Sequence, residues 1–193
     1  MKRLALCLST IVLLAAAPAQ AGLLTYTATL GGANEAPPNA SPATGLATVV
    51  IDDAASTMSV AITWSGLSGT TTAAHLHCCT TLPFDGNAQI AIGFPSFPTG
   101  VSAGSFSASY NLLDANSYTP AFFTANGSAA GAEAAILAGL ATGRGYVNLH
   151  TTSFPGGEIR GFLTAAAVPE PGSVALLGLG LAGLAWSRRR SLR

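Results

Sequence analysis

The residues best suited to chemistry in this chain are its three histidines, His75, His77 and His150, and the adjacent pair Cys78-Cys79. His75 and His77 form a His-x-His pair, and residues two apart on a strand project from the same face. Two imidazoles on one strand face plus a third from elsewhere is the ligand count of a Zn²⁺ or Cu²⁺ site. Cys79 shares the parity of His75 and His77, so Cys79 or Asp85 would complete the set. An open position on such a metal would permit chemistry on bound water or oxygen. The competing reading is a hydrogen-bonded polar cluster. In it the imidazoles bond to backbone or to Glu158, and Asn148 and Thr151 close the network.

Neighbouring side chains sort the same way. Tyr146, Asn148 and His150 oppose Val147 and Leu149, and Glu158 and Arg160 oppose Ile159. Glu158 and Arg160 read either as a surface ion pair, worth under about 1 kcal/mol, or with Glu158 orienting His150 or His75 from behind a metal. Asn148 is a candidate for the same supporting role. Cys78 and Cys79 are an awkward disulfide pair, since adjacent Cα atoms sit about 3.8 Å apart across a trans peptide, below the usual range. Export would favour their oxidation. Bridged, they would end the strand near Cys78. The roles open to them are a rigid turn, a redox switch or metal ligation by Cys79. Glu35, in Asn34-Glu35-Ala36-Pro37-Pro38, is expected to fix its loop. No nucleophile elbow, phosphate-binding loop or helical zinc-protease motif occurs.

The elements that must position these groups alternate with period two. Leu24, Tyr26, Ala28 and Leu30 interleave with threonines; Ala47, Val49 and Ile51 form a second set. Met58, Val60, Ile62 and Trp64 form a third, and Phe106, Ala108, Tyr110 and Leu112 a fourth. Such strands have one apolar and one polar face and build antiparallel sheets. Gly, Pro and Asn clusters at 31–45, 66–70, 83–87 and 95–104 separate them. Residues 130–142 predict a helix ending near Gly143. The fold class is therefore mainly β: an antiparallel β-sandwich of immunoglobulin or superoxide-dismutase type with one inserted helix.

Charge divides the chain. Its 193 residues carry eight Lys+Arg and eight Asp+Glu, yet residues 22–167 hold only Arg144 and Arg160 against seven acids, a net −5 without lysine. That excludes a nucleic-acid binder, which needs a basic face. The remaining cations sit at the ends. Lys2-Arg3, the apolar run 4–17 and Ala19-Gln20-Ala21 read as a signal peptide over residues 1–21, cut between Ala21 and Gly22. Residues 168–193 hold Pro169-Glu170-Pro171, an apolar helix at 173–186 and Arg188, Arg189 and Arg190. That run is shorter than the ~20 residues of a comfortable span, but it would cross with its arginines on the cytoplasmic side.

Two resemblances follow from these motifs. Pro169-Glu170-Pro171, the short apolar helix and the arginine cluster resemble the PEP-CTERM sorting signal of Gram-negative bacteria. The resemblance implies a transient inner-membrane anchor, cut near the Pro-Glu-Pro motif by an exosortase-type enzyme after signal peptidase has removed the leader. It also implies a host that makes exopolysaccharide. Asn34-Glu35-x-Pro37-Pro38, Ala74-His75-x-His77, Tyr146-x-Asn148-x-His150-Thr151 and Gly157-Glu158-Ile159-Arg160-Gly161, in that order, resemble the CHRD domain, named from chordin. That implies a β-rich extracellular module over residues 22–167 and no known reaction. The resulting expectation is a non-catalytic module of the cell envelope or exopolysaccharide matrix. Its partners would be exopolysaccharide or a surface protein, and its only membrane contact the C-terminal helix. The alternative is a Zn- or Cu-binding extracellular protein or redox enzyme using His75, His77 and His150.

Overall fold

Strand β3 shows how this sequence builds its sheet. Over Thr57–Ser65 every second residue is buried: Met58, Val60, Ile62 and Trp64 face inward, while Ser59, Ala61 and Thr63 face out. The same alternation drives β1 (Leu23–Gly31) and β2 (Thr44–Asp52), which pair antiparallel in full register from Leu23↔Asp52 to Gly31↔Thr44. Asp52 makes the turn into β3 by accepting the Ala54 and Ala55 N–H groups.

The computed structural model describes residues 22–166 and four isolated helical positions, Gly178, Gly180, Leu181 and Gly183. The expected signal peptide and the sorting segment otherwise lie outside the described residues. No helix among the described residues is long and apolar enough to cross a membrane.

The other strands are β4 (Thr71–Cys78), β5 (Ile90–Gly93), β6 (Gly104–Asn111), β7 (Gly145–Thr151), β8 (Ile159–Phe162) and β9 (Thr164–Ala165). All pairings are antiparallel, in the order β5-β4-β7-β8-β1-β2-β3-β6, with β9 also on β1. The expected separate sheets of a sandwich are thus one continuous sheet, joined where Gly31 of β1 pairs with Arg160 of β8. Gly161 permits that junction, since a Cβ there would stand 2.4 Å from the Thr29 carbonyl oxygen. The sheet curls so that both wings share one core: Leu30, Val49, Ile51 and Ile62 from one side, Leu76, Ile92, Val147 and Leu149 from the other.

Two helices, not one, occupy the stretch before β7. Helix α2 (Ala129–Ala141) begins at Ser128, whose hydroxyl accepts the Gly131 N–H. It buries Ala132, Ile136 and Leu140 in the core and stops at Gly143, φ +68°. Helix α1 (Pro120–Asn126), not expected from the pattern, has Thr119 as N-cap, Pro120 in its first turn and Gly127 as a left-handed C-cap. Its seven residues are too few to show a helical period, so only the caps mark it.

Candidate functional site

Register brings the sequence-selected residues together. Strand β4 lies beside β7, with His75 opposite Asn148 and His77 opposite Tyr146. Strand β8 lies on the far side of β7, with Arg160 opposite Asn148 and Phe162 opposite Tyr146. His150 pairs with Ala73, one step along the sheet. Rows His77–Tyr146–Phe162 and His75–Asn148–Arg160 therefore run across three strands on the face away from Leu76, Val147 and Leu149. This face is not bare. Asn148, Tyr146, His77 and Arg160 are buried beneath the loops that carry Glu35, Ala88 and Pro155.

The three imidazoles meet. His75 Nδ1 is 3.2 Å from His150 Nε2, and one ring nitrogen from each histidine lies within 4.8 Å of the others. His77 Nδ1 is 2.8 Å from the Ala88 carbonyl oxygen, and His150 Nδ1 is 2.8 Å from that of Pro155. His77 Nε2 is buried and has no hydrogen-bond partner among the described residues. His77 also stacks on Tyr146. Burial, with the neighbouring imidazole of His150, pushes the pKa of His75 down to about 4. Burial likewise pushes His77 down to about 4 against the Ala88 hydrogen bond. Both rings are therefore neutral at physiological pH, the form that donates a lone pair.

The remaining candidates go elsewhere. Glu158 does not pair with Arg160 or touch a histidine. It is fully buried and holds three loops together: it accepts from Ser41 Oγ at 2.6 Å, Ser68 N at 2.6 Å, Gly69 N at 3.4 Å and Thr151 Oγ1 at 2.6 Å. These donors keep its pKa below the usual carboxylate range despite burial. Arg160 turns instead to the Asn34-Glu35 loop. Its guanidinium donates to the Asn34 and Gly86 carbonyls and to Asn87, and its Nε is 3.9 Å from Glu35. Asn148 donates to Glu35 Oε1 at 2.9 Å, and its buried Oδ1 has no hydrogen-bond partner among the described residues, so no hydrogen bond ties it to a histidine. Burial raises the Glu35 pKa to about 7, against the pull of Arg160 and Asn148. Alternation in the sequence could not pair Glu35 with Arg160, because that contact depends on how a loop folds over the sheet.

Cys79 is not with the histidines either. It is bridged to Cys78 where β4 ends, and both sulfurs face α2. Cys79 Sγ is 3.3 Å from the Ala135 carbonyl oxygen. A Cβ at Gly139 would stand 2.4 Å from each sulfur, so the glycine makes the space for the bridge. Asp85 also lies outside the histidine cluster. It lines a cleft with Glu35, Pro37, Pro38, Phe84, Arg160 and Phe162.

Similarity to known proteins is confined to family patterns. The CHRD domain matches residues 26–163, and the PEP-CTERM protein-sorting motif matches residues 167–190. No curated protein and no solved structure matches the chain.

Proposed function

The chain belongs to the CHRD domain family and carries a PEP-CTERM protein-sorting motif, and from that premise we propose that it is an exported binding or scaffold module of the cell envelope or exopolysaccharide matrix, released from its membrane anchor by an exosortase-type enzyme. The observation that carries this reading is how domain and motif join. Strand β9 is stitched to β1 through Tyr26↔Ala165 and Thr27↔Thr164, and the Ala166 N–H donates to the Thr25 carbonyl at 2.8 Å. The motif begins at the next residue, 167. A cut near Pro169-Glu170-Pro171 therefore severs the tail without breaking a strand of the domain.

The buried charges support a module rather than an enzyme. Glu158 and Arg160 direct their hydrogen bonds to backbone groups, the Ser41 and Thr151 hydroxyls and the Asn87 side-chain amide, which fixes the surface loops. Between the two export segments the body is net −5 with no lysine, so contact with an anionic polysaccharide works through hydrogen bonds or bridging cations, not through simple charge attraction.

The test is the intact mass of the protein recovered from the cell surface. It should start at Gly22 and end near Pro169–Pro171. A surface form retaining residues 172–193 would remove the processing step. Low-salt washing of isolated matrix should leave the protein in place; its complete release would count against matrix binding.

A further inference from the structure

Carbonyl acceptors fix the protons of two imidazoles. The Ala88 oxygen can only accept, so His77 carries its proton on Nδ1; the Pro155 oxygen does the same for His150. Each ring then leaves Nε2 as a bare lone pair. His150 Nε2 accepts from His75 Nδ1. His77 Nε2, on a side chain more than nine-tenths buried, accepts from nothing among the described residues. A buried acceptor without a donor is costly, and this one belongs to a ring that has a nitrogen within 4.8 Å of two other imidazoles.

We propose that His75 Nδ1, His77 Nε2 and His150 Nε2 bind one late first-row transition-metal ion, Cu²⁺ or Zn²⁺, with a further position open to solvent. Metal–nitrogen bonds of about 2.0–2.1 Å place ligand nitrogens about 3.4 Å apart in a tetrahedral site. The His75–His150 pair is already at 3.2 Å, and the outer limit of 4.8 Å leaves His77 a movement on the order of 1 Å, within reach of small ring shifts. His75 must move its proton from Nδ1 to Nε2. Its ring is only part-buried, so solvent can carry that exchange. The bonds from Nδ1 to backbone carbonyls already hold His77 and His150 in the orientation that metal-ligating histidines need. The donor set is nitrogen alone, with no carboxylate in the cluster, which selects against Ca²⁺ and Mg²⁺. Part-exposure of His75 and His150 supplies both the entry path and the open position.

The test loads the full chain, purified in detergent, with CuSO₄ or ZnSO₄ in separate arms, then dialyses it and measures retained metal by mass spectrometry. About one equivalent of Cu or of Zn should remain in at least one arm, and the arm that loads identifies the ion. The Cu²⁺ form should show nitrogen hyperfine structure from three imidazoles in its paramagnetic resonance spectrum. Replacement of His150 by Gln should weaken retention tenfold or more while circular dichroism stays unchanged. Less than a tenth of an equivalent in both arms would overturn the proposal. So would equal loading by the His75→Gln, His77→Gln, His150→Gln triple variant, displacement of the ion by millimolar Ca²⁺, or a Cu²⁺ spectrum without nitrogen coupling. The last needs no variant and stands even if the substitutions unfold the chain. None of these readouts depends on sorting or matrix association.

Discussion

The imidazole of His77 lies flat on the phenol ring of Tyr146, centroids 4.7 Å apart and planes 4° from parallel. The two are also tied through one residue. Tyr146 Oη accepts the Ala88 N–H at 3.2 Å, and the Ala88 carbonyl takes the His77 Nδ1 proton at 2.8 Å. Tyr146 thus sets both the plane of the His77 ring and the place of the carbonyl that fixes its tautomer. Arg160, 4.7 Å over the Tyr146 ring, adds a cation–π contact to that phenol.

Replacing Tyr146 should therefore act on metal binding without removing a ligand. Tyr146→Leu loses the stack and the anchor of Ala88, and Cu²⁺ affinity measured by chelator competition should fall about 10- to 100-fold. Tyr146→Phe keeps the stack and should fall less. Equal affinity in all three proteins would mean that Tyr146 does not position His77.

Gly139 and the Cys78–Cys79 bridge form a second coupled pair. A methyl at Gly139 would meet both sulfurs at 2.4 Å, in a region where Leu140 and Ile136 are already packed. Gly139→Ala should lower stability by about 1–3 kcal/mol, the usual cost of overpacking. The helix propensity gain of alanine, about 1 kcal/mol, offsets part of this. In a Cys78→Ala, Cys79→Ala background the sulfurs are gone and the same change should be neutral or stabilising. A double-mutant cycle from thermal unfolding that gave additive effects would remove the coupling.

Glu158 should matter for folding far more than an exposed acid does. It sits at 0% exposure with four donors from Ser41, Ser68, Gly69 and Thr151 aimed at two oxygens. Glu158→Gln replaces one oxygen by an amide that presents hydrogens to a donor. The expected loss is about 2–4 kcal/mol by urea unfolding, since charged hydrogen bonds are lost and donors are left unpaired. A change under about 0.5 kcal/mol would show that the loops do not depend on it.

Particular residues show what the chain makes legible. Alternation around Met58, Val60, Ile62 and Trp64 suffices to call a strand, and parity suffices to place His75 and His77 on one face, because both depend only on neighbours two apart. Which strand lies beside which is a non-local choice. Nothing between residues 79 and 144 announces that β7 returns to β4 and puts His150 3.2 Å from His75. The pairing of Glu158 with Arg160 fails for a related reason. Parity ignores loops, and a loop carrying Glu35 captures Arg160 while others deliver donors to Glu158. The four-residue strand Ile90–Gly93 is too short to alternate visibly, and the curl that joins two expected sheets turns on the single pair Gly31↔Arg160.

Glu35 makes the pH dependence of stability specific to one position. Its carboxyl titrates at about 7 in the fold and near the ordinary 4.5 when unfolded, because burial disfavours the charge more than Arg160 and Asn148 restore it. Between these values the native state holds a proton that the unfolded chain has released. Stability from this group is therefore complete below about pH 4.5 and is lost as pH rises toward 7. Glu35→Gln mimics the protonated acid in shape and cannot ionise. The variant should thus gain on the parent as pH rises from 5 to 8, by on the order of 1 kcal/mol once solvent screening is allowed for. Taking the difference between the two proteins at each pH cancels the histidines and Glu158, which titrate alike in both. Urea unfolding at pH 5, 6, 7 and 8 measures it. A difference that stays flat, or that favours the parent at high pH, would mean that the Arg160 guanidinium holds Glu35 charged throughout and that the loop is locked by an ion pair, not by a neutral acid.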